Sequence, residues 1–238
     1  MALIHSPTLP KNGLVFCLDA ANSKSHSGAN WYDLTKNFTL NYDYNNGRIS
    51  HVDSGKSSYF YRDIVATHAD HYGSVETINL SSGFTFIATV YLEGITTSAN
   101  GILTNHNHSA NAGGGLTARY ISDTDYRISC NTGTGTGRTY HTYYGTTNIK
   151  DTWAHLVQRY DNAESLNSLW VNATKEHEVS YSMATADLPI DVFGWSTNYM
   201  ATAYRIQGRI GACMVYSRSL SDEEIYESYR ILGTRYGI

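Results

Sequence analysis

The chain has 238 residues, of which 16% are charged and 41% hydrophobic, and its formal net charge is −4. These values allow a core and give too little charge for a disordered tail, so we expect one folded domain. The 17 basic residues are outnumbered by 21 acidic ones, which argues against a nucleic-acid partner. No segment approaches the about 20 consecutive apolar residues of a membrane helix, and the first residues lack a signal-peptide pattern. We therefore expect neither membrane insertion nor classical secretion.

The residue types favour an all-β fold. The sequence has 20 glycines, 20 tyrosines and only three prolines, a composition typical of strands joined by turns. Tyr, Ser, Gly and Asn are also common in binding loops. Cys17, Cys130 and Cys213 include at least one unpaired thiol, and Cys17 and Cys213 lie in apolar runs. We interpret all three as reduced, structural residues.

The first part of the chain is predicted to be an arm followed by strands. Pro7 and Pro10 disfavour regular pairing, which predicts an extended arm over residues 1–12. Residues 13–20 (GLVFCLDA) form an apolar run of strand length, and a polar loop follows them. Residues 57–63 (SSYFYRD) are short and aromatic, which indicates another strand.

The strongest period-two pattern lies in residues 83–94 (GFTFIATVYLEG), which predicts a strand with one core face. The predicted core residues of this strand are Phe84, Phe86, Ala88 and Val90. Residues 95–150 contain short strand candidates separated by Gly-, Ser- and Asn-rich turns. Residues 153–161 and 168–181 are predicted to form a hairpin or meander, and two later strands follow.

The C-terminal segment carries the signals of a helix over residues 221–232. Ser221 and Glu224 have the spacing of a capping box. Apolar residues then recur at helical spacing, and Gly233 is predicted to end the helix.

Five segments in chain order carry a family resemblance. They are GLVFCLDAANSKSH, NWYDLTKN, FTFIATVYL, WAHLVQRYDN with LWVNA, and GRIGACMVYSRSLSDEEI. They resemble the concanavalin A-like superfamily in its laminin G-like form, especially the versions found in structural proteins of tailed bacteriophages. The resemblance implies an all-β, concanavalin A-like antiparallel β-sandwich (jelly roll) with a short C-terminal α-helix. It also implies one laminin G-like domain over residues 13–238.

The sequence departs from the family pattern at two places. Gly211 stands where the closing strand often has Asp, and the turn that is commonly Asn-Gly is Asn172-Ala173. No carboxylate pair matches the calcium site of calcium-binding members, and Ca²⁺ requires about six to eight oxygen ligands. We therefore predict no metal and no other cofactor.

Catalytic carboxylates are not evident in the sequence. A retaining glycan hydrolase needs two carboxyl groups about 5–5.5 Å apart, and the familiar Glu-x-Asp-x-x-Glu strand is missing from this chain. Glu176 and Glu178 would project to one face of a strand, where we favour a solvated edge over catalysis. The sequence therefore predicts a protein that is not an enzyme.

Histidines form two pairs of candidate metal ligands. His68 and His71 make one pair and His106 and His108 the other, but no further ligands complete a zinc site. A polar surface loop is the favoured interpretation, and a trimer or sheet-edge contact is an alternative. His155 is interpreted as a structural residue of the hairpin.

Recognition of carbohydrate remains as the predicted chemistry. Lectin-like sandwiches bind sugars with aromatic rings and with polar groups on neighbouring loops. The candidate ligand-binding residues are Tyr143, Tyr144, Trp195, Tyr199, Asn105, Asn107 and Asn198. The alternative is that Trp195 and the tyrosines fill the core or a subunit interface.

The resemblance and the missing catalytic pattern together predict a non-enzymatic virion structural protein, located in virions assembled in the host cytoplasm. Its role would be a head decoration, a head fibre or a tail appendage. The expected partners are other virion proteins, further copies of the chain in a homo-oligomer with a trimer favoured, and glycans of the host or surroundings. The alternatives are a carbohydrate-active enzyme of the same fold and a cellular carbohydrate-binding module.

Overall fold

The computed structural model describes residues 9–27, 30–42, 49–63, 72–95, 100–107, 112–133, 140–184, 187–192 and 206–238. These residues form seventeen strands, one short 3-10 helix (Gly55–Ser57) and one α-helix, α1 (Asp222–Tyr236). The strands are β1 (Leu14–Asp19), β2 (His26–Ser27), β3 (Asn30–Trp31), β4 (Leu40–Tyr42), β5 (Ile49–Val52), β6 (Tyr59–Arg62), β7 (Tyr72–Ile78), β8 (Gly83–Ile95), β9 (Asn100–Asn107), β10 (Ala112–Ser122), β11 (Asp125–Gly133), β12 (Tyr140–Tyr144), β13 (Trp153–Asp161), β14 (Leu166–Val171), β15 (Thr174–Ser180), β16 (Leu188–Val192) and β17 (Ile206–Tyr216).

Two antiparallel sheets account for most of the described strands. The larger sheet has the order β15-β14-β13-β8-β17-β6-β5, and β1 also pairs with β17. The smaller sheet has the order β12-β11-β10-β9-β16-β7-β4, while β2 and β3 form a separate pair. Strand β8 lies at the centre of the larger sheet because it pairs with β13 on one side and with β17 on the other. The all-β prediction is confirmed.

The core lies between the two sheets. The four predicted core residues of β8, from Phe84 to Val90, are fully buried. They belong to one apolar cluster with residues of the smaller sheet such as Leu116 and Ile128. Burying this apolar surface provides the main driving force for the sandwich.

Part of the opposite face of β8 is also buried, because α1 packs on the outside of the larger sheet. Ile87, Val157 and Met214 from the sheet form a second cluster with Ile225 and Leu232 of the helix. All five side chains are fully buried. The helix therefore buries part of the outer sheet face in a second core.

Helix α1 begins as the capping box predicts and ends later than predicted. Ser221 accepts a hydrogen bond from the Glu224 amide, and the Glu224 side chain accepts one from the Ser221 amide. The predicted end at Gly233 is wrong, since the helix continues to Tyr236. It ends at Gly237, whose φ of 76° is a left-handed conformation that favours glycine.

The described part of the predicted arm lies against β17. The Pro10 carbonyl accepts a hydrogen bond from the Tyr216 hydroxyl at 3.0 Å, and the Asn12 carbonyl accepts one from Arg218 Nε at 2.9 Å. Leu9 packs on the cluster beneath the helix. Residues 1–8 of the predicted arm lie outside the described residues.

The three cysteines are unpaired and buried, as predicted. Burial raises the pKa of the Cys17 and Cys130 thiols to about 12. Burial also raises the pKa of Cys213 above its ordinary value. All three thiols therefore stay protonated at neutral pH and behave as small apolar side chains.

Candidate functional site

The outer face of the larger sheet carries a row of aromatic residues beyond the end of the helix. Four residues lie side by side across β6, β17, β8 and β13, because Arg209 pairs with both Tyr61 and Tyr91, and Tyr91 pairs with Trp153. We define the aromatic face as this row and its nearest neighbours on the same surface. Its residues are Tyr59, Tyr61, Tyr91, Glu93, Trp153, Gln207 and Arg209. All seven side chains are half-buried and retain solvent contact.

The aromatic face begins where the helix ends. Tyr236, the last helical residue, is only 8% exposed and lies with its ring centroid 4.1 Å from that of Trp153. Its hydroxyl donates a hydrogen bond to the Ser58 carbonyl at 2.8 Å. Gly211 of β17 makes room for this ring, since a Cβ built there would lie 2.3 Å from Tyr236 Cζ. The helix end thus supports Trp153, which remains half-buried and keeps some solvent contact.

The rings of the aromatic face pack around a cation. The Arg209 guanidinium lies 4.5 Å from the centroid of the Tyr91 ring and 5.0 Å from that of Tyr59. The Trp153 ring meets both tyrosine rings edge-on, with centroid distances of 5.9 and 6.2 Å. Cation–π and edge-to-face contacts of this kind hold large side chains in fixed positions. The aromatic face is therefore a preorganised surface.

Polar groups lie directly beside the rings. Arg209 donates from Nε at 3.0 Å and from Nη2 at 2.8 Å to Glu93 Oε1. Glu93 Oε2 accepts from the Tyr61 hydroxyl at 3.2 Å and from Gln207 Nε2 at 3.3 Å. Partial burial raises the pKa of Tyr61 above its ordinary value, so this hydroxyl remains a donor at neutral pH.

This combination suits a ligand with apolar faces and hydroxylated edges. Aromatic rings cover apolar C–H surface, while the Tyr61, Glu93 and Gln207 side chains supply donors and acceptors around them. Pyranose sugars have this distribution of apolar faces and polar edges. The aromatic face therefore has the chemistry to bind a carbohydrate.

A second surface feature is a polar cleft of about 940 Å³ between the loop after β1, the β5–β6 connection and the end of α1. Asp19 accepts two hydrogen bonds from Arg235 Nη1, at 2.8 and 2.9 Å. The His26 and His51 rings stack with centroids 3.5 Å apart. Burial and the neighbouring His51 lower the pKa of His26, so its imidazole is neutral at neutral pH. We take the aromatic face as the stronger candidate, since it presents several solvent-contacting rings.

Two of the predicted sugar-binding tyrosines lie on β12. Tyr143 is half-buried against the core, and its ring stacks on His177 with centroids 5.0 Å apart. Tyr144 is 36% exposed, and its ring lies 4.0 Å from the Arg119 guanidinium. Only Tyr144 of this pair therefore presents an exposed ring, on a sheet different from the one that carries the aromatic face.

The asparagines predicted to bind sugar do not form a described binding loop. Asn105 lies in β9, is 1% exposed, and donates from Nδ2 to the carbonyls of Leu188 and Pro189 at 2.7 and 3.2 Å. These bonds tie β9 to β16, so the expectation that Asn105 lies on a surface loop is corrected. The backbone of Asn107 ends β9, and its side chain lies outside the described residues. Trp195, Asn198 and Tyr199 also lie outside them.

The predicted metal ligands are not assembled in the described part of the chain. His68, His71 and His108 lie outside the described residues, as does the side chain of His106, whose backbone belongs to β9. Within the described ranges, no group of three or more His, Cys, Asp or Glu side chains is placed to hold a metal ion.

The two weak catalytic candidates have separate partners. Glu176 accepts hydrogen bonds from the backbone amides of Thr146 and Thr147, at 2.7 and 3.2 Å. Glu178 accepts one from Lys175 Nζ at 2.7 Å. The pairing of β14 with β15 shifts register in this region. Each carboxylate is therefore engaged in its own surface contact.

His155 is a structural residue, as predicted. It is fully buried under α1, its amide donates to Asn172 Oδ1 at 2.9 Å, and its Nε2 lies 3.2 Å from the Ser228 hydroxyl oxygen. Burial lowers its pKa to about 3. The imidazole is therefore neutral at physiological pH.

Sequence reasoning missed the aromatic face. Its residues come from four strands, and each strand shows only its own alternation, such as Tyr59 and Tyr61 on either side of the core residue Phe60. The signal that would have found the site is the set of aromatic or charged residues at outward positions near one end of each strand. That signal becomes a site only when the strand register is known.

The two packed sheets define the chain as a lectin-like jelly roll. The chain belongs to the concanavalin A-like lectin/glucanases superfamily, because its residues 66–226, more than half of its length, match that family. The predicted family and fold class are thereby confirmed. A comparison with curated protein sequences found no match.

Solved structures with the same fold include binding domains of toxins and an enzyme. The binding domain of Paraclostridial Mosquitocidal Protein 1 is 13% identical with a TM-score of 0.63, and 91% of this chain aligns with 52% of that one. The receptor binding domain of botulinum neurotoxin type G is 11% identical with a TM-score of 0.66, over 92% of this chain and 51% of that one.

Trypanosoma rangeli sialidase, solved in complex with sialic acid, is 14% identical with a TM-score of 0.63, over 93% of this chain and 33% of that one. The chain thus spans about half the length of the two toxin structures and a third of the sialidase. At these identities the likeness establishes the fold. In the described residues, no helix combines the length and the apolar character needed to cross a bilayer.

Proposed function

We propose that this chain is a non-enzymatic carbohydrate-binding protein that contacts glycans through its aromatic face. The observation that carries the proposal is the in-register row of Tyr61, Arg209, Tyr91 and Trp153, with Glu93 bonded to it, on the solvent side of the larger sheet. The sialidase solved in complex with sialic acid, a third of which aligns with this chain, supports a role in carbohydrate recognition.

A printed glycan array probed with the purified chain and with a Tyr91→Ala variant tests this proposal. Truncating a central aromatic residue of a binding surface commonly costs about tenfold or more in affinity, so we expect Tyr91→Ala to lose most of the signal. Tyr226→Ala is the matched control, because Tyr226 is 54% exposed on α1, away from the face. No glycan signal for the unmodified chain, or equal signals for it and Tyr91→Ala, would refute the proposal.

The separate partners of Glu176 and Glu178 support the non-enzymatic part of the proposal. We expect no release of reducing sugar when the chain is incubated with a panel of polysaccharides. Turnover that disappears in a Glu176→Gln or Glu178→Gln variant would establish the enzyme alternative.

We further propose that the chain is a virion structural protein, a head decoration, a head fibre or a tail appendage. The support is the ordered resemblance of five segments to laminin G-like domains of tailed-bacteriophage structural proteins. Mass spectrometry of purified phage particles is expected to detect the chain, and its absence from particles would overturn this assignment. We expect a homo-oligomer, with a trimer favoured, and light scattering that shows a monomer at micromolar concentration would contradict it.

A further inference from the structure

The charges of the aromatic face restrict which glycans it can take. Arg209 is its principal cation, and the Arg209 side chain is 32% exposed. Its guanidinium packs against the rings of Tyr59 and Tyr91, and its Nε and Nη2 groups both bind Glu93. The π-surface and one hydrogen-bonding edge of the cation are therefore already engaged.

A sugar carboxylate would compete with Glu93 for this cation. Arginine recognises carboxylates through pairs of N–H groups along one edge of its planar guanidinium. On this face the Nε–Nη2 edge is used by Glu93, whose own negative charge would repel an incoming carboxylate. A sugar carboxylate would have to displace Glu93 from this edge or bind the remaining Nη1 side against the negative charge of Glu93.

Lys150, a second cation beside the aromatic face, is paired as well. Lys150 bridges to β8 beside Tyr91, at Leu92, and its ammonium group forms an ion pair with Asp151. The hydrogen bond to Asp151 raises the pKa of Lys150, which keeps the ammonium group charged and paired at neutral pH. Neither Arg209 nor Lys150 is therefore presented as an unpaired cation.

An uncharged sugar meets no such competition. Its hydroxyl groups can donate to the Gln207 amide oxygen and accept from the Nη1 side of Arg209, while the Tyr61, Gln207 and Arg209 donors stay bonded to Glu93. The hydrogen bonds to Glu93 need not open for such contacts, and a hydroxyl group carries no charge for Glu93 to repel. The network therefore suits neutral hydroxyl groups.

We propose that the aromatic face selects uncharged glycans and that Glu93 is the residue that excludes acidic ones. This inference rests on the proposed carbohydrate-binding function and adds the ligand class and a specificity-determining residue. Removing the charge of Glu93 while keeping its shape would release Arg209 for a sugar carboxylate. The Glu93→Gln variant should therefore gain binding to acidic glycans.

The test uses an array on which each neutral oligosaccharide is printed beside its sialylated form. We expect the unmodified chain to bind the neutral member of a pair about tenfold better than the sialylated one, and Glu93→Gln to raise binding of the sialylated member about tenfold, as for one hydrogen bond to a charged group. The double variant Glu93→Gln, Arg209→Met removes the released cation and should abolish that gain. Tyr226→Ala should keep the preference of the unmodified chain.

Each result of this experiment separates the two proposals. Equal or stronger binding of the sialylated members by the unmodified chain would overturn the neutral-glycan inference while leaving carbohydrate binding intact. An unchanged preference in a folded Glu93→Gln variant would overturn the role of Glu93. The preference of the unmodified chain is measured without any variant, so the inference stays testable if Glu93→Gln does not fold. A chain that binds no glycan would refute the proposed function itself, and the specificity inference with it.

Discussion

Replacing Gly211 with Ala should disrupt the junction between α1 and the aromatic face. The new Cβ would lie 2.3 Å from both Cζ and Oη of Tyr236 and 2.7 Å from Cε2, whereas carbon atoms in contact are about 3.5–4 Å apart. Tyr236 has little room to move, because it is 8% exposed and its hydroxyl is bonded to Ser58. The ring must therefore leave its site or the helix end must shift.

The expected loss of stability follows from the contacts that Tyr236 would give up. Its hydrogen bond to the Ser58 carbonyl is worth about 1 kcal/mol, and its aromatic contact with Trp153 adds about 0.5–1.5 kcal/mol. Overpacking in a tight site generally costs about 1–3 kcal/mol. We therefore expect Gly211→Ala to lower the free energy of unfolding by about 2–3 kcal/mol, measured by urea denaturation followed by tryptophan fluorescence.

A double-mutant cycle identifies the cause of this loss. In a Tyr236→Ala background the obstructing ring is missing, so Gly211→Ala should be close to neutral or slightly stabilising, because alanine loses less backbone entropy than glycine on folding. The coupling between the two positions should then be about 2 kcal/mol. An equal cost of Gly211→Ala with and without the Tyr236 ring would show that our explanation of Gly211 is wrong.

Four further predictions concern single sites. Gln158 is fully buried, and its amide N and O atoms have no hydrogen-bond partner among the described residues. Gln158→Leu should therefore raise the free energy of unfolding by about 1–2 kcal/mol. A variant that is less stable than the unmodified chain in urea denaturation would contradict this. The folded-state pKa of His155 is about 3, below the unfolded value of about 6.5. Protons therefore favour the unfolded state. Because of this residue, the free energy of unfolding should fall by roughly 2 kcal/mol from pH 7 to pH 5. The His155→Gln variant should show a smaller change in the free energy of unfolding over the same pH range. Ala173 has a φ of 62°, so Ala173→Gly should raise the free energy of unfolding by about 0.5–1 kcal/mol, measured by thermal unfolding. Equal stability of the two chains would mean that the alanine causes no backbone strain in this turn. Ser221→Ala should cost about 1 kcal/mol in urea denaturation and Ser221→Gly only a few tenths, and a Ser221→Ala variant as stable as the unmodified chain would mean that the cap bond contributes little.

Local sequence signals predicted the elements that depend on neighbouring residues. The predicted segment 153–161 coincides with β13, since its apolar residues and flanking turns are visible within nine positions. The start of α1 was predicted because the Ser221 and Glu224 side chains bond to each other's backbone amides three residues apart. The end of the helix was not predicted correctly, because Gly233 lies inside the helix. The last helical residue, Tyr236, packs its ring over Gly211, which belongs to a strand that is distant from the helix end in the sequence.

The candidate site depends on contacts that no local pattern contains. Tyr91 pairs with Trp153 and with Arg209, residues more than 60 and more than 110 positions away in the sequence. The outward position of Tyr91 follows from the alternation of β8, but its neighbours follow only from the strand order. Asn105 shows the same limit in reverse, since a polar residue that indicates a loop in the sequence becomes buried once β16 supplies carbonyl acceptors.

The departure of Gly211 from the family pattern links the fold to the proposed site. A carboxylate at this position would place its Cβ inside the space of the Tyr236 ring, so an Asp and this helix end are mutually exclusive. Without that ring, Trp153 would lose the contact at 4.1 Å that fixes one side of it. Family members with Asp at this position should therefore lack a large aromatic residue at the end of the helix and, with it, the support for an aromatic face of this kind. An alignment that paired Asp here with an aromatic helix end on the same sheet face would contradict this dependence.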